Sequence, residues 1–144
     1  MMWNGRRKVG EPLVLDTHSL IWLVEGESRL GRKSRELAQA ALHSDALAVS
    51  AICFWEIAML VKSGRLGLAM PTSEWHRGLL ELGILEAPVT GQIGILAGEL
   101  AGLPGHPADR IITATAMVLN ATLLTADERI LDWQGNLTRF DAHN

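Results

Sequence analysis

The sequence lacks a second cysteine and any surplus of basic residues. Cys53 stands alone among 144 residues, which excludes an internal disulfide framework and a cysteine-built zinc site. One thiol suits a reducing, cytoplasmic setting. Lys and Arg number 13 against 16 acids, a formal charge of −3. Composition therefore gives no sign of a broad basic surface for nucleic acid. It does not exclude one, because acids gathered in a single site lower the net charge and leave basic rims intact. Low-complexity segments and internal repeats are also missing.

No stretch reads as a membrane span. Residues 111–126 carry no charge, but the run is short and holds Asn120 and four threonines. It reads as a buried helix followed by a buried strand. Arg6-Arg7-Lys8 ahead of apolar residues imitates an export signal, yet Asp16, His18 and Glu25 interrupt the apolar part.

What remains is a chain of single-domain length, 48% hydrophobic, large enough to bury a core without staples. Residues 1–11, with Gly5 and Gly10, read as a flexible lead to a domain spanning 12–141. Leu13-Val14-Leu15 is an unalternating apolar run, as in a strand covered on both faces. A helix over Thr17 to Val24 and another over Gly31 to His43 follow. Ala46 to Val49 is the second strand. Ser50 suits the N-cap of a helix that runs through Phe54 to Val61 and stops at Gly64. The helix begun at Pro71 turns Trp75, Leu79, Leu80 and Leu82 inward.

Ile84 to Val89 is the third strand, ragged at Pro88. Thr90 to Leu100 is helical despite Gly91, Gly94 and Gly98, which weaken it or admit a neighbouring backbone. Pro107 opens the helix that continues from Ala108 to Leu119. Ala121 to Leu124 is the fourth strand, a short helix runs through Leu131, and Leu137 to Phe140 adds an edge strand. Strands alternating with helices predict an α/β fold: a three-layer α/β/α sandwich on a mainly parallel, Rossmann-like sheet.

Four acids fall at strand ends or in early helical turns: Asp16, Glu56, Asp109 and Asp127. Each has an ordinary explanation. Asp16 and Asp127 can cap helices, and Asp109 can answer the dipole of its helix. Glu56 can sit in solvent or pair with Lys62 or Arg65. In a parallel sheet, however, the carboxyl ends of the strands share one edge, which gathers Asp16, Asp127 and Asp109. Clustered carboxylates repel unless a cation or proton sits among them. Hard oxygen donors suit Mg²⁺ or Mn²⁺, which polarises a phosphoryl oxygen and acidifies water.

These residues lie in a familiar order. Val14-Leu15-Asp16-Thr17-His18 comes first, then Ser50 with Trp55-Glu56-Ile57. Asp109-Arg110-Ile111-Ile112-Thr113-Ala114-Thr115-Ala116 and Leu124-Thr125-Ala126-Asp127 follow. Together they resemble a PIN domain, and more narrowly the VapC-type toxins of bacterial toxin–antitoxin pairs. The segment Lys62-Ser63-Gly64-Arg65-Leu66 is typical of that subgroup. The resemblance runs from about Leu13 to Phe140.

It implies a metal-dependent ribonuclease that hydrolyses RNA with Mg²⁺ or Mn²⁺. Asp16 and Asp109 would be the most direct ligands. Glu56 and Asp127 would serve a second ion, hold water or act as base, with Thr17 and Thr125 in support. Arg110 would orient a carboxylate or meet phosphate, or else form only a surface ion pair. The resemblance further implies a homodimer and a VapB-type antitoxin partner whose C-terminal segment plugs the acidic pocket. The apolar helix over Ile52 to Val61 is a candidate dimer face.

One departure is visible: His106 stands where related sequences often carry Asp before the proline. His106 and His18 lie in site loops and are expected in structural or substrate-contact roles rather than as metal ligands. Trp22, Trp55 and Trp75 are expected in the core or at an interface. Other readings are an RNA-processing PIN nuclease without a toxin role and an inactive RNA-binding module. A receiver-like phosphate-binding protein is disfavoured, since no matching late-strand lysine is visible.

Overall fold

The computed structural model describes residues 11–144. The expected lead lies outside the described residues, apart from Glu11. The strands are β1 (Leu13–Leu15), β2 (Leu47–Ser50), β3 (Leu85–Ala87), β4 (Thr122–Thr125) and β5 (Arg139–Asp141). The helices are α1 (Thr17–Val24), α2 (Arg32–His43), α3 (Ile52–Lys62), α4 (Thr72–Glu81), α5 (Gly91–Glu99), α6 (Pro107–Val118) and α7 (Glu128–Leu131). The five strands form one parallel sheet in the order β3-β2-β1-β4-β5.

Every residue of β1, β2 and β4 is buried. Side chains on both faces of these strands are therefore covered, as a parallel sheet between helical layers requires. The main core joins Val14, Leu15, Leu47, Val49, Leu123 and Leu124 to Leu20, Ile57 and Ile112 of α1, α3 and α6. A smaller core holds α5 against α6 through Ile93, Ala97 and Ala114. Among the described residues no helix is long and apolar enough to cross a membrane.

The strand order places the site. From β1 the chain moves outward to β2 and β3, then returns to the other side of β1 as β4. The order reverses between β1 and β4, and ligands of open α/β sheets bind at the carboxyl ends beside such a reversal. Leu15 pairs with Leu124, and the Asp16 amide donates to the Leu124 carbonyl at 3.2 Å. The first residue after β1 is thus fixed beside the end of β4.

Several local expectations are corrected. Leu80 and Leu82 face outward, at 39% and 65% exposure. Trp75 and Leu79, one turn apart, already fill the inward face of α4. Leu82 is the C-cap, where the chain turns away into Gly83 at φ 104°. Ser50 belongs to β2 and not to the cap position, although its hydroxyl does accept from the Ile52 amide at 3.2 Å. The glycines of α5 border open space and admit no neighbouring backbone. Helix α5 is started by Thr90, whose hydroxyl accepts from the Ile93 amide at 3.2 Å. The close approach falls instead at Gly31, where a Cβ would lie 2.1 Å from the Asn144 carbonyl carbon.

Candidate active site

The site is built outward from Asp16. Its carboxylate caps α1, accepting from the Ser19 amide at 2.9 Å. The other oxygen accepts from the Thr125 hydroxyl at 2.6 Å. Ser19 locks the same corner, its hydroxyl donating to the Leu124 carbonyl at 3.1 Å. Capping and a place in the cluster are therefore not rival explanations of Asp16. Burial disfavours its charged form and pushes its pKa up, against the hydrogen bonds from Ser19 and Thr125.

Thr17, next along, donates its hydroxyl to Glu56 of α3. Among the described residues Glu56 makes no ion pair with Lys62 or Arg65, so that expectation is replaced by the Thr17 bond. The Glu56 pKa is raised, first by burial and then by the charges of Asp109 and Asp16. Beneath them lies Cys53, fully buried, its thiol pushed up to about 12 by burial, with Asp16 and Glu56 adding to the effect. A thiol so protonated is not a nucleophile.

Thr125 also ties in the fourth acid, accepting from the Asp127 amide at 3.1 Å. Asp127 caps α7. Burial opposes its charge, but the hydrogen bonds and charge of Arg129 outweigh that and hold its pKa below the usual range. Asp109 sits in the first turn of α6 and accepts from the His106 amide at 3.3 Å. Its pKa is raised by burial and by the charge of Asp127. The backbone of His106 thus does capping work that any residue could do, while its ring favours the ionised Asp109.

The structure brings Asp16, Glu56, Asp109 and Asp127 together as a chain of neighbours. Glu56 feels the charges of Asp109 and Asp16, and Asp109 feels that of Asp127. Among the described residues, no three Asp, Glu, His or Cys side chains close around a single point as a ready ligand cage. Their oxygens are turned to Thr17, Thr125 and Arg129 instead. The donor set still suits a hard divalent ion: all oxygen, with three of the four pushed toward protonation by burial and two of those also by a neighbouring acid's charge.

Two basic residues change places relative to expectation. Arg110 does not face the acids. Its guanidinium donates to the carbonyls of Ala97, Leu100 and Leu103 at 2.9, 2.7 and 2.6 Å. The end of α5 leaves carbonyls without helical partners, and a fork of N–H groups on the fourth residue of α6 meets them.

Among the described residues, the arginine at the acids is Arg129. Its Nη2 lies 2.9 Å from Asp127 Oδ2 and 3.5 Å from Asp109 Oδ2, and its Nε lies 3.2 Å from Asp127 Oδ1. The sequence carried a signal for it, an Arg two residues after a helix-capping Asp. His18 is exposed and close enough to Asp16, Glu56 and Asp127 to favour their charges. Trp22 and Trp75 are buried, whereas Trp55 is 55% exposed.

A buried acid stands at the switch point, with three more acids on the same edge of the sheet. The PIN domain family model matches residues 13–135, and the chain belongs to that family. It is 36% identical over 119 residues to Ribonuclease VapC22 of Mycobacterium tuberculosis, covering 82% of this chain and 88% of that protein. Among solved structures it is similar to DNA-bound VapBC from Salmonella typhimurium. There the TM-score is 0.66 at 21% identity, over 91% of this chain and 98% of that one. It also resembles VapBC2 from Rickettsia felis bound to a promoter DNA fragment, at TM-score 0.63 and 18% identity, over 89% and 96%.

Proposed function

We propose that this protein is a metal-dependent endoribonuclease and the toxin of a toxin–antitoxin pair. The observation that carries the chemistry is the run of four carboxylates on the carboxyl edge of the sheet, each held by its own partner. The identity with a ribonuclease over most of the chain supports RNA as substrate. The toxin–antitoxin complexes among its structural relatives support a VapB-type partner.

Asp16 and Asp109 would hold Mg²⁺ or Mn²⁺, with Glu56 and Asp127 completing the shell. When bound, such an ion polarises a phosphoryl oxygen and makes water a better nucleophile at neutral pH. Thr125 keeps Asp16 pointed at the site, and Thr17 does the same for Glu56. Glu56 is half-buried, with a raised pKa, and is suited to take the proton of the attacking water. His18 stands at the mouth, where an RNA phosphate enters. Trp55 and Met59, one turn apart on α3 and both exposed, support that helix as a self-association face. The lone buried thiol suits the cytoplasm.

The test is RNA cleavage by purified protein with and without Mn²⁺, beside Asp16→Asn. Cleavage that needs Mn²⁺ and is abolished by the substitution is expected. Equal cleavage by both proteins would refute the site. The toxin role is read in cells, where wild type expressed without antitoxin arrests growth and Asp109→Asn does not.

A further inference from the structure

Arg129 has no part in the reading just given, yet it touches two of the four acids. Its Nη2 is shared between Asp127 Oδ2 at 2.9 Å and Asp109 Oδ2 at 3.5 Å, while its Nε reaches the remaining oxygen of Asp127. Both oxygens of Asp127 and one of Asp109 are thereby engaged by a single guanidinium. A divalent ion at these carboxylates would draw on the same oxygens and be repelled by the guanidinium charge beside them, so the cationic fork and the metal compete.

Resting on the reading of these acids as a metal site, we propose that Arg129 is the site's own counter-ion, in direct competition with the divalent ion for Asp109 and Asp127. The surroundings fit such an exchange. The Arg129 side chain is about half exposed, so releasing it carries no large desolvation term and leaves no buried charge unpaired. A cleft of about 460 Å³, bordered by Pro104, Asp132, Trp133 and Gly135, has Arg129 in its wall, so the displaced guanidinium has room there, away from the four acids. Gly105, at φ 128°, supplies the close cover. A Cβ there would lie 3.1 Å from Asp109 Oδ2 and 3.6 Å from the guanidinium carbon. Arg110, one residue from Asp109, is excluded from this role by its bonds to the end of α5.

The competition with metal is what the experiment reads. Mn²⁺ binding is titrated by calorimetry, and independently by electron paramagnetic resonance, on wild type, Arg129→Gln, Arg129→Lys and Asp109→Asn. No RNA is present.

Arg129→Gln is expected to bind Mn²⁺ about fivefold more tightly, the scale of one partly exposed ion pair. Arg129→Lys keeps the charge but not the fork, and is expected between Arg129→Gln and wild type. Unchanged or weaker binding by Arg129→Gln would overturn the proposal. So would an Arg129→Lys affinity equal to that of wild type, since that assigns the effect to distant charge alone. Failure of the underlying metal reading looks different: wild type and Asp109→Asn would then bind Mn²⁺ equally. A circular-dichroism melt of each variant separates misfolding from altered affinity.

Discussion

The two halves of the acidic site are held by opposite means. The groups that hold Asp16 are buried and neutral: Ser19, Thr125 and the ends of β1 and β4. Around Asp127 the partner is a half-exposed cation on a short helix. The first half fixes position through packing and neutral hydrogen bonds, and burial works against the charge it holds. The second half stabilises charge at once, and neighbouring packing does little to fix it. An acid that must stay in place is best served by the first arrangement. An acid that must exchange partners is best served by the second.

Breaking the neutral half is expected to have the largest effect. In Thr125→Val the shape is nearly kept, but Asp16 Oδ2 loses its donor and the Asp127 amide its acceptor. Leaving buried polar groups unmatched costs about 1–3 kcal/mol of stability. Catalysis is expected to fall further than that implies, by roughly 10²-fold, as when a site loses a preorganised donor. Chemical denaturation and RNA cleavage check the two numbers. Thr125→Ser restores the hydroxyl and is expected to recover most of both. Full activity in Thr125→Val would show that the bond to Asp16 orients nothing.

A smaller effect is expected where backbone, not burial, fixes an acid. Arg110 pins the first turn of α6, and with it Asp109, to the end of α5. Arg110→Ala leaves four carbonyls to find water and is expected to cost about 1–2 kcal/mol. Cleavage at a temperature well below the melt is expected to change less than in Thr125→Val. A loss as deep as that of Asp109→Asn would return Arg110 to the chemistry, from which its hydrogen bonds remove it.

The sequence disclosed the buried half better than the exposed one, for a physical reason. Unalternating strands and acids at their ends follow from local pattern and sheet geometry. Asp16 and the parallel order were legible in that way, whereas Thr125 was implied only by the family resemblance. Side chains that cross between elements were not. Arg110 and Arg129 have similar surroundings in sequence, each close behind an acid at a helix start. Only the fold shows that one turns to carbonyls and the other to carboxylates. Trp55 looked like Trp22 and Trp75 for the same reason: helical spacing marks an apolar face without saying what covers it. The outward Leu82 reflects a helix ending before its pattern does.

The least disruptive comparison replaces one acid in each half by its amide and follows stability against pH with a chelator present. Asn caps helices as well as Asp, so the helix starts survive in both variants. The Asp16 pKa is raised by burial above its ordinary value of 3.8. Its favourable contribution is complete below that value and is lost as pH rises through the raised one. Asp16→Asn removes a charge that burial penalises, so it is expected to melt above wild type at pH 7.5, with the gap closing as pH falls. The Asp127 pKa is lowered by Arg129 against the effect of burial. Its contribution is present above 3.8 and fades as pH falls through the lowered value. Asp127→Asn is therefore expected to melt below wild type at pH 7.5, and that deficit too closes in acid. Opposite signs at neutral pH from the same chemical change would confirm that burial governs one half and a cation the other. Equal signs would mean that the two carboxylates share one environment, and the division drawn between them would fall.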